Sequence, residues 1–478
     1  MDYIVKDDII IFDPNYNKQL DLNLLSYYKK VIFSDFVLSE YLFDNYENNN
    51  LEYFFSTFNN YIDNLPNSIT HLIFGYEFNK SVNYLPTSIT YLTFGYKFNQ
   101  LVNNLPNSLI HLTFGYEFNN FVNNLPNNIT HLTFNCEFNK SVDNLPNSLT
   151  HLIFDGKFNK SVDNLPNSLT HLTFGSEFNK SVDNLPTSIT HLTFDEHFNK
   201  SINNLPNSIT NLIFGAYFNQ PVDNLPNTLT HLTFDTYYNK SADNLPNTLT
   251  YLIFGWTFNQ LVNNLPNNLT HLTFGYKFNK SVDNLPNNLT HLTFSYEFNQ
   301  LVDNLPNKLT HLTFGYEFNK SVNNLPNSLI HLTFNNNFNN SLNNLPNNLT
   351  HLTFSKDFDK KVILPFNIKY LKLNYNNQHI IDYLHDGIEE LEFGIYFDLE
   401  LNNLPSSVKK IIFNKYSNYS KELNCLPNFI ELLQLPKTYD KKILKIPKEL
   451  KKIICSSDYI FKKDFDNYCV EKYNPINL

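Results

Sequence analysis

The amino-acid sequence predicts a mainly β protein, a parallel β-solenoid of about twenty residues per coil whose coils have extended backs and degenerate at both ends. Three observations predict it. Leu-Pro recurs at 65, 85, 105 and on to 345, so fifteen copies of one unit follow each other without insertion, as in LPNSLTHLTFGSEFNKSVDN from Leu165 to Asn184. Within each copy, segments such as His171-Leu172-Thr173-Phe174 alternate polar and apolar residues, the period of a strand with one face inward. No part of the unit has helical periodicity, and a unit this short leaves little room for a helix beside a strand and two turns.

Positions are numbered from Leu-Pro. The apolar columns fall at one, five, eight, ten, fourteen and eighteen, in one copy Leu165, Leu169, Leu172, Phe174, Phe178 and Val182. The strand is expected over positions seven to ten, stacked in parallel on the same positions one coil away at about 4.8 Å. Position eleven is Gly, Asn, Asp or Ser, which predicts a turn in the left-handed conformation. Proline at position two suits extended chain that donates nothing to a ladder. Asparagine at positions fifteen and twenty is expected to bond the backbone of the next coil.

The chain divides into 1–64, an N-terminal cap with degenerate coils; 65–363, the fifteen regular copies; 364–454, degenerate copies; and 455–478, a C-terminal cap. Ile9 to Phe12 reads as a strand covering the first coil. Two worn copies are expected after it, one through Phe33 and one through Phe54, Phe58 and Asn59. After Asn344 the pattern continues at Leu364, Leu384, Leu404, Leu426 and Ile446. The Lys-rich stretch KKILKIPKELKKIIC resembles a basic membrane helix, but Pro447 opposes a helix and Ile446, Leu450, Ile453 and Cys455 fit the unit.

Composition narrows the function. The net charge is −10 and arginine is absent, which argues against a nucleic-acid surface. Cys136, Cys425, Cys455 and Cys469 have neither metal-type spacing nor the density of a disulfide framework. The first residues, MDYIVKDDIIIFDP, do not read as a secretion signal, and no apolar run approaches the ~20 residues of a membrane span. The expectation is an intracellular, cytoplasmic protein. On that reading the Asn-Lys-Ser steps at Asn79, Asn139, Asn159, Asn179 and Asn199 are loop residues and not glycosylation acceptors.

The pattern Leu-x-x-Leu-x-Phe with a Leu-Pro return resembles leucine-rich repeats, most of all the short type with an extended convex side. The Phe-Asn step, FNQPV at Phe218–Val222 and FNKSV elsewhere, resembles the FNIP repeat of social amoebae and of giant viruses of amoebae. The resemblance covers roughly 51–454. It implies an interaction protein without catalytic residues. Some relatives carry an amino-terminal F-box, so a ubiquitin-ligase substrate receptor is an alternative, although residues 1–60 lack that module's early Leu-Pro. The repeat asparagine stands two places later here than in leucine-rich repeats.

Two columns are candidate sites. Position seven is His71, His111, His131, His151, His171, His191, His231, His271, His291, His311, His331 and His351, interrupted by Tyr91, Asn211 and Tyr251. It reads as an outward strand residue copied by duplication; a metal-binding solenoid is the sharper alternative, though the flanking columns supply Thr and no carboxylate. Stacked Asp143, Asp163 and Asp183 at position nineteen are a weak candidate for a carboxylate pair. Position twelve, just past the turn on the concave rim, varies most. Tyr76, Tyr96 and Tyr116 form one aromatic strip, and Trp256, Tyr276, Tyr296 and Tyr316 another, with Tyr251 on the strand beside the only tryptophan. Identical coils cannot specify a docking position, so these strips are the expected contacts for a protein partner. The chain is expected to be a non-enzymatic, monomeric scaffold with no cofactor, binding neither nucleic acid nor membrane.

Overall fold

The computed structural model describes residues 2–35, 55–465 and 468–472. It falls into two units, Met1–Tyr238 and Asn239–Leu478, taken separately below.

The N-terminal unit opens with β1 (Tyr3–Lys6), antiparallel to β2 (Ile9–Phe12). Strand β3 (Lys30–Phe33) lies parallel to β2, and β4 (His71–Ile73) parallel to β3. From there each strand pairs in parallel with the strand one coil on, through to His231–Thr233, with positions seven, eight and nine in register. Ile9–Phe12 is thus a strand, as its sequence suggests. The C-terminal unit repeats the arrangement from Tyr251–Ile253 to His351–Thr353. It continues through Tyr370–Leu373, Glu390–Phe393, Lys410–Phe413, Leu432–Gln434 and Lys452–Cys455, each starting six residues after the expected Leu or Ile, and on to Cys469–Lys472. The Lys-rich stretch therefore contributes a strand. Described helices are short: α1 (Leu22–Leu25), α2 (Gln378–Asp382) and a 3-10 turn at Lys462–Phe465. None is long and apolar enough to cross a membrane.

The six apolar columns are the core. Leu169, Leu172, Phe174, Phe178 and Val182 are all buried. The two Phe of a coil stack, Phe174 on Phe178 with centroids 3.8 Å apart, and Phe178 lies 6.1 Å from Phe158 and 6.0 Å from Phe198. Asparagine at position fifteen does what its recurrence suggests. Asn159 Oδ1 accepts the Asn179 N–H at 3.1 Å, and Asn179 Oδ1 accepts that of Asn199 at 3.1 Å. Asparagine at position twenty differs from expectation. Asn184 Nδ2 donates to the Asp163 carboxylate of the preceding coil and not to backbone, because the loop there is exposed.

Two further expectations are corrected. Position eleven is not left-handed: among described glycines only Gly156 and Gly387 have positive φ. In coils that carry glycine there, close approach leaves no room for a side chain, since a Cβ on Gly95 would lie 1.8 Å from the Gly75 carbonyl oxygen. Where the residue is Asn, its side chain reaches back, Asn135 Nδ2 donating to Phe114 O at 2.8 Å. The two worn N-terminal copies are one coil. Strand β3 pairs directly with β4, and Phe33 stacks on Phe58 at 4.0 Å, the relation Phe74 has to Phe78. Phe54 itself lies outside the described residues. Asp35 ties this coil to the next, its Oδ1 accepting the N–H groups of Ser56 and Tyr76.

Candidate functional site: ring ladders at the rim of the sheet

Just past the strand, the N–H of position thirteen donates to the position-twelve carbonyl one coil back. Lys97 N to Tyr76 O, Glu117 N to Tyr96 O and Glu137 N to Tyr116 O do so in the first unit, and Lys277 N to Trp256 O and Glu297 N to Tyr276 O in the second. This backbone ladder sets the spacing at which the position-twelve side chains stack. Tyr76, Tyr96 and Tyr116 follow at centroid distances of 4.6 and 4.5 Å, with Phe55 4.1 Å below Tyr76. Trp256, Tyr276, Tyr296 and Tyr316 form the second ladder at 4.1, 4.5 and 4.5 Å, the Trp256 and Tyr276 planes only 2° apart. Trp256 is 51% exposed and Tyr116 38%. The ladders are thus stiff, pre-stacked and open at their edges. Tyr251 belongs to the strand column, its ring 5.6 Å from His271.

Carboxylates border the hydroxyls. Burial, then Tyr76, Glu117 and Glu137, raise the Tyr96 hydroxyl above its ordinary value. Cys136 is the first cause that pushes Tyr116 up to about 12. The small-residue stretch of position twelve hides a third ladder, which the sequence reading missed. His197, Tyr217 and Tyr237 at position thirteen stack at 5.1 and 5.1 Å. Reading position thirteen as a column, and not only position twelve, would have revealed it.

The histidines stack as two runs of parallel rings. His111 to His191 are spaced 4.2, 4.2, 4.2 and 4.3 Å, and His271 to His351 4.2, 4.1, 4.2 and 4.0 Å. Thr150 Oγ1 lies 3.1 Å from Thr130 O and 2.9 Å from His151 Nδ1, so the imidazole is tied to the threonine before it. Stacked rings set equivalent nitrogens side by side and not toward a common point. Among the described residues no group of three or more His, Cys, Asp or Glu is placed to hold a metal ion. Burial first, then neighbouring imidazoles, hold His131, His151, His171, His191, His291 and His311 below 6.5, and lower His331 to about 4.

The aspartates of position nineteen are not a carboxylate pair. Asp143 accepts from Ser141 and from Asn164 of the next coil, and these bonds lower its pKa. The same bond recurs one coil on, where Asn184 donates to Asp163.

Comparison with known proteins follows the same repeat. The FNIP repeat model matches thirteen overlapping segments, from 58–97 and 81–117 to 318–357, which together span 58–357. Among solved structures, CroV588 from a giant virus, described as a novel circular leucine-rich-repeat protein, is 37% identical over 96% of this chain and 77% of its own, with a TM-score of 0.74. YopM from Yersinia enterocolitica is 20% identical over 83% of this chain and 81% of its own, at a TM-score of 0.40. An internalin from Listeria monocytogenes is 21% identical over 51% of this chain and 80% of its own, at 0.40. Only the first superposes well enough to bear on the fold. No match was found among curated proteins. With the repeat model covering more than half of its length, the chain belongs to the FNIP repeat family, as a leucine-rich-repeat-like solenoid scaffold.

Proposed function

We infer that this protein acts by binding and not by catalysis, as an intracellular monomeric scaffold that engages a protein partner through the ring ladders at the rim of its sheet. Neither nucleic acid nor a membrane is its target on this reading. The observation that carries it is the Trp256–Tyr316 stack. Four large flat side chains are held in fixed order by the coil beneath, so they lose little freedom on contact. They also distinguish these coils from the repeated His/Thr face, which offers many equivalent positions.

The test is a partner captured from a native or host lysate, titrated against the wild-type chain and W256A/Y276A. Affinity should fall by at least ~2 kcal/mol if the rings are hot spots. Unchanged affinity with an unchanged circular dichroism spectrum would move the site elsewhere.

A further inference from the structure

The N-terminal ladder borders an open cleft of about 600 Å³, lined by its four rings, Phe94, Asp35, Asn135, Gly95 and Gly115. The coils pack too closely there for a side chain, since a Cβ on Gly115 would lie 1.6 Å from the Gly95 carbonyl oxygen. The surrounding charge is negative. Lys97 is taken by Glu77 at 2.7 Å and Lys157 by Glu137 at 2.7 Å. Glu117 is exposed and has no ion pair among the described residues, and nor does Asp35. The chain's own cations already sit on these ladders. Lys97 Nζ is 5.4 Å from the Tyr76 centroid, and in the other unit Lys356 Nζ is 5.6 Å from that of Tyr316.

We propose that this cleft takes a basic, arginine-containing segment of a protein partner, its guanidinium groups laid against Tyr96 and Tyr116 beside Glu117. A guanidinium is flat, packs along the ladder and donates to carboxylate and hydroxyl together, which an ammonium does less well. The proposal rests on the reading of the ladders as the binding surface and adds the chemistry of what they bind.

Fluorescence anisotropy of the full chain with short labelled peptides alternating Arg–Ser, Lys–Ser or Glu–Ser tests it. The Arg peptide should bind about five-fold more tightly than the Lys peptide, and the Glu peptide not at all. E117Q, at an exposed side chain, and Y116L should each weaken the Arg peptide about five-fold. D163N/D183N, which removes two charges from another column, should leave its affinity unchanged. Equal binding of the Arg and Lys peptides, indifference to E117Q, or an equal loss in D163N/D183N would overturn the proposal. If the Arg peptide fails while a captured partner still loses affinity on W256A/Y276A, the partner chemistry is wrong and the scaffold reading stands.

Discussion

A histidine packed between two others loses solvating water and meets its neighbours' charge as soon as it is protonated. The folded column therefore takes up protons less readily than the unfolded chain, whose imidazoles titrate near 6.5. Stability from the column is complete above that value and is lost as pH falls toward the folded pKa values, about 4 for His331. Other charges act on His71 and His351. Lys30 further lowers His71 while Asp8 raises it, and Glu390 raises His351. H151Q/H171Q/H191Q should flatten the loss of thermal stability between about pH 6.5 and 4. A profile identical to wild type would show that the stack is electrostatically idle. The histidine and tyrosine columns were legible as columns because the repeat is exact. What glycine does at position eleven was not, because the same residue serves a left-handed turn and a bare backbone. Only the coil beneath Gly95 decides between them.

Single elements cohere mainly through bonds that run from coil to coil. Replacing Asn179 by Ala leaves the Asn199 N–H without its acceptor and should cost about 1–2 kcal/mol in chemical denaturation. N179D keeps an acceptor oxygen and should retain most of that stability. Equal losses would assign the effect to packing. The end coils replace the His/Thr face with alternating charge. Glu389 pairs with Lys409 at 2.8 Å, Lys410 with Glu390 at 3.0 Å and Lys451 with Glu431 at 2.6 Å. Such exposed pairs add little stability each, but their alternating sign disfavours stacking like on like. The degenerate coils were legible from the spacing of Leu and Pro. The N-terminal coil was misread because Phe33 and Phe54 are both separated from Phe74 by distances compatible with separate copies, while the Phe33–Phe58 stack is a tertiary fact.

At the scale of the molecule, stability is a sum over coils that each meet equivalent neighbours. Leu165, Leu169, Leu172, Phe174, Phe178 and Val182 occupy the same six columns as the residues twenty before and after them. The ring ladders inherit their order from that stacking, so the binding reading stands or falls with it. The most direct measurement compares two deletions by circular dichroism and size exclusion. Removing 165–184 takes out one whole coil, keeps every column in register and spares both tyrosine ladders. That chain should stay soluble, with a wild-type-like spectrum. Removing 165–174 puts core positions at the wrong height and should abolish soluble folding. Comparable solubility and spectra for the two deletions would contradict the account.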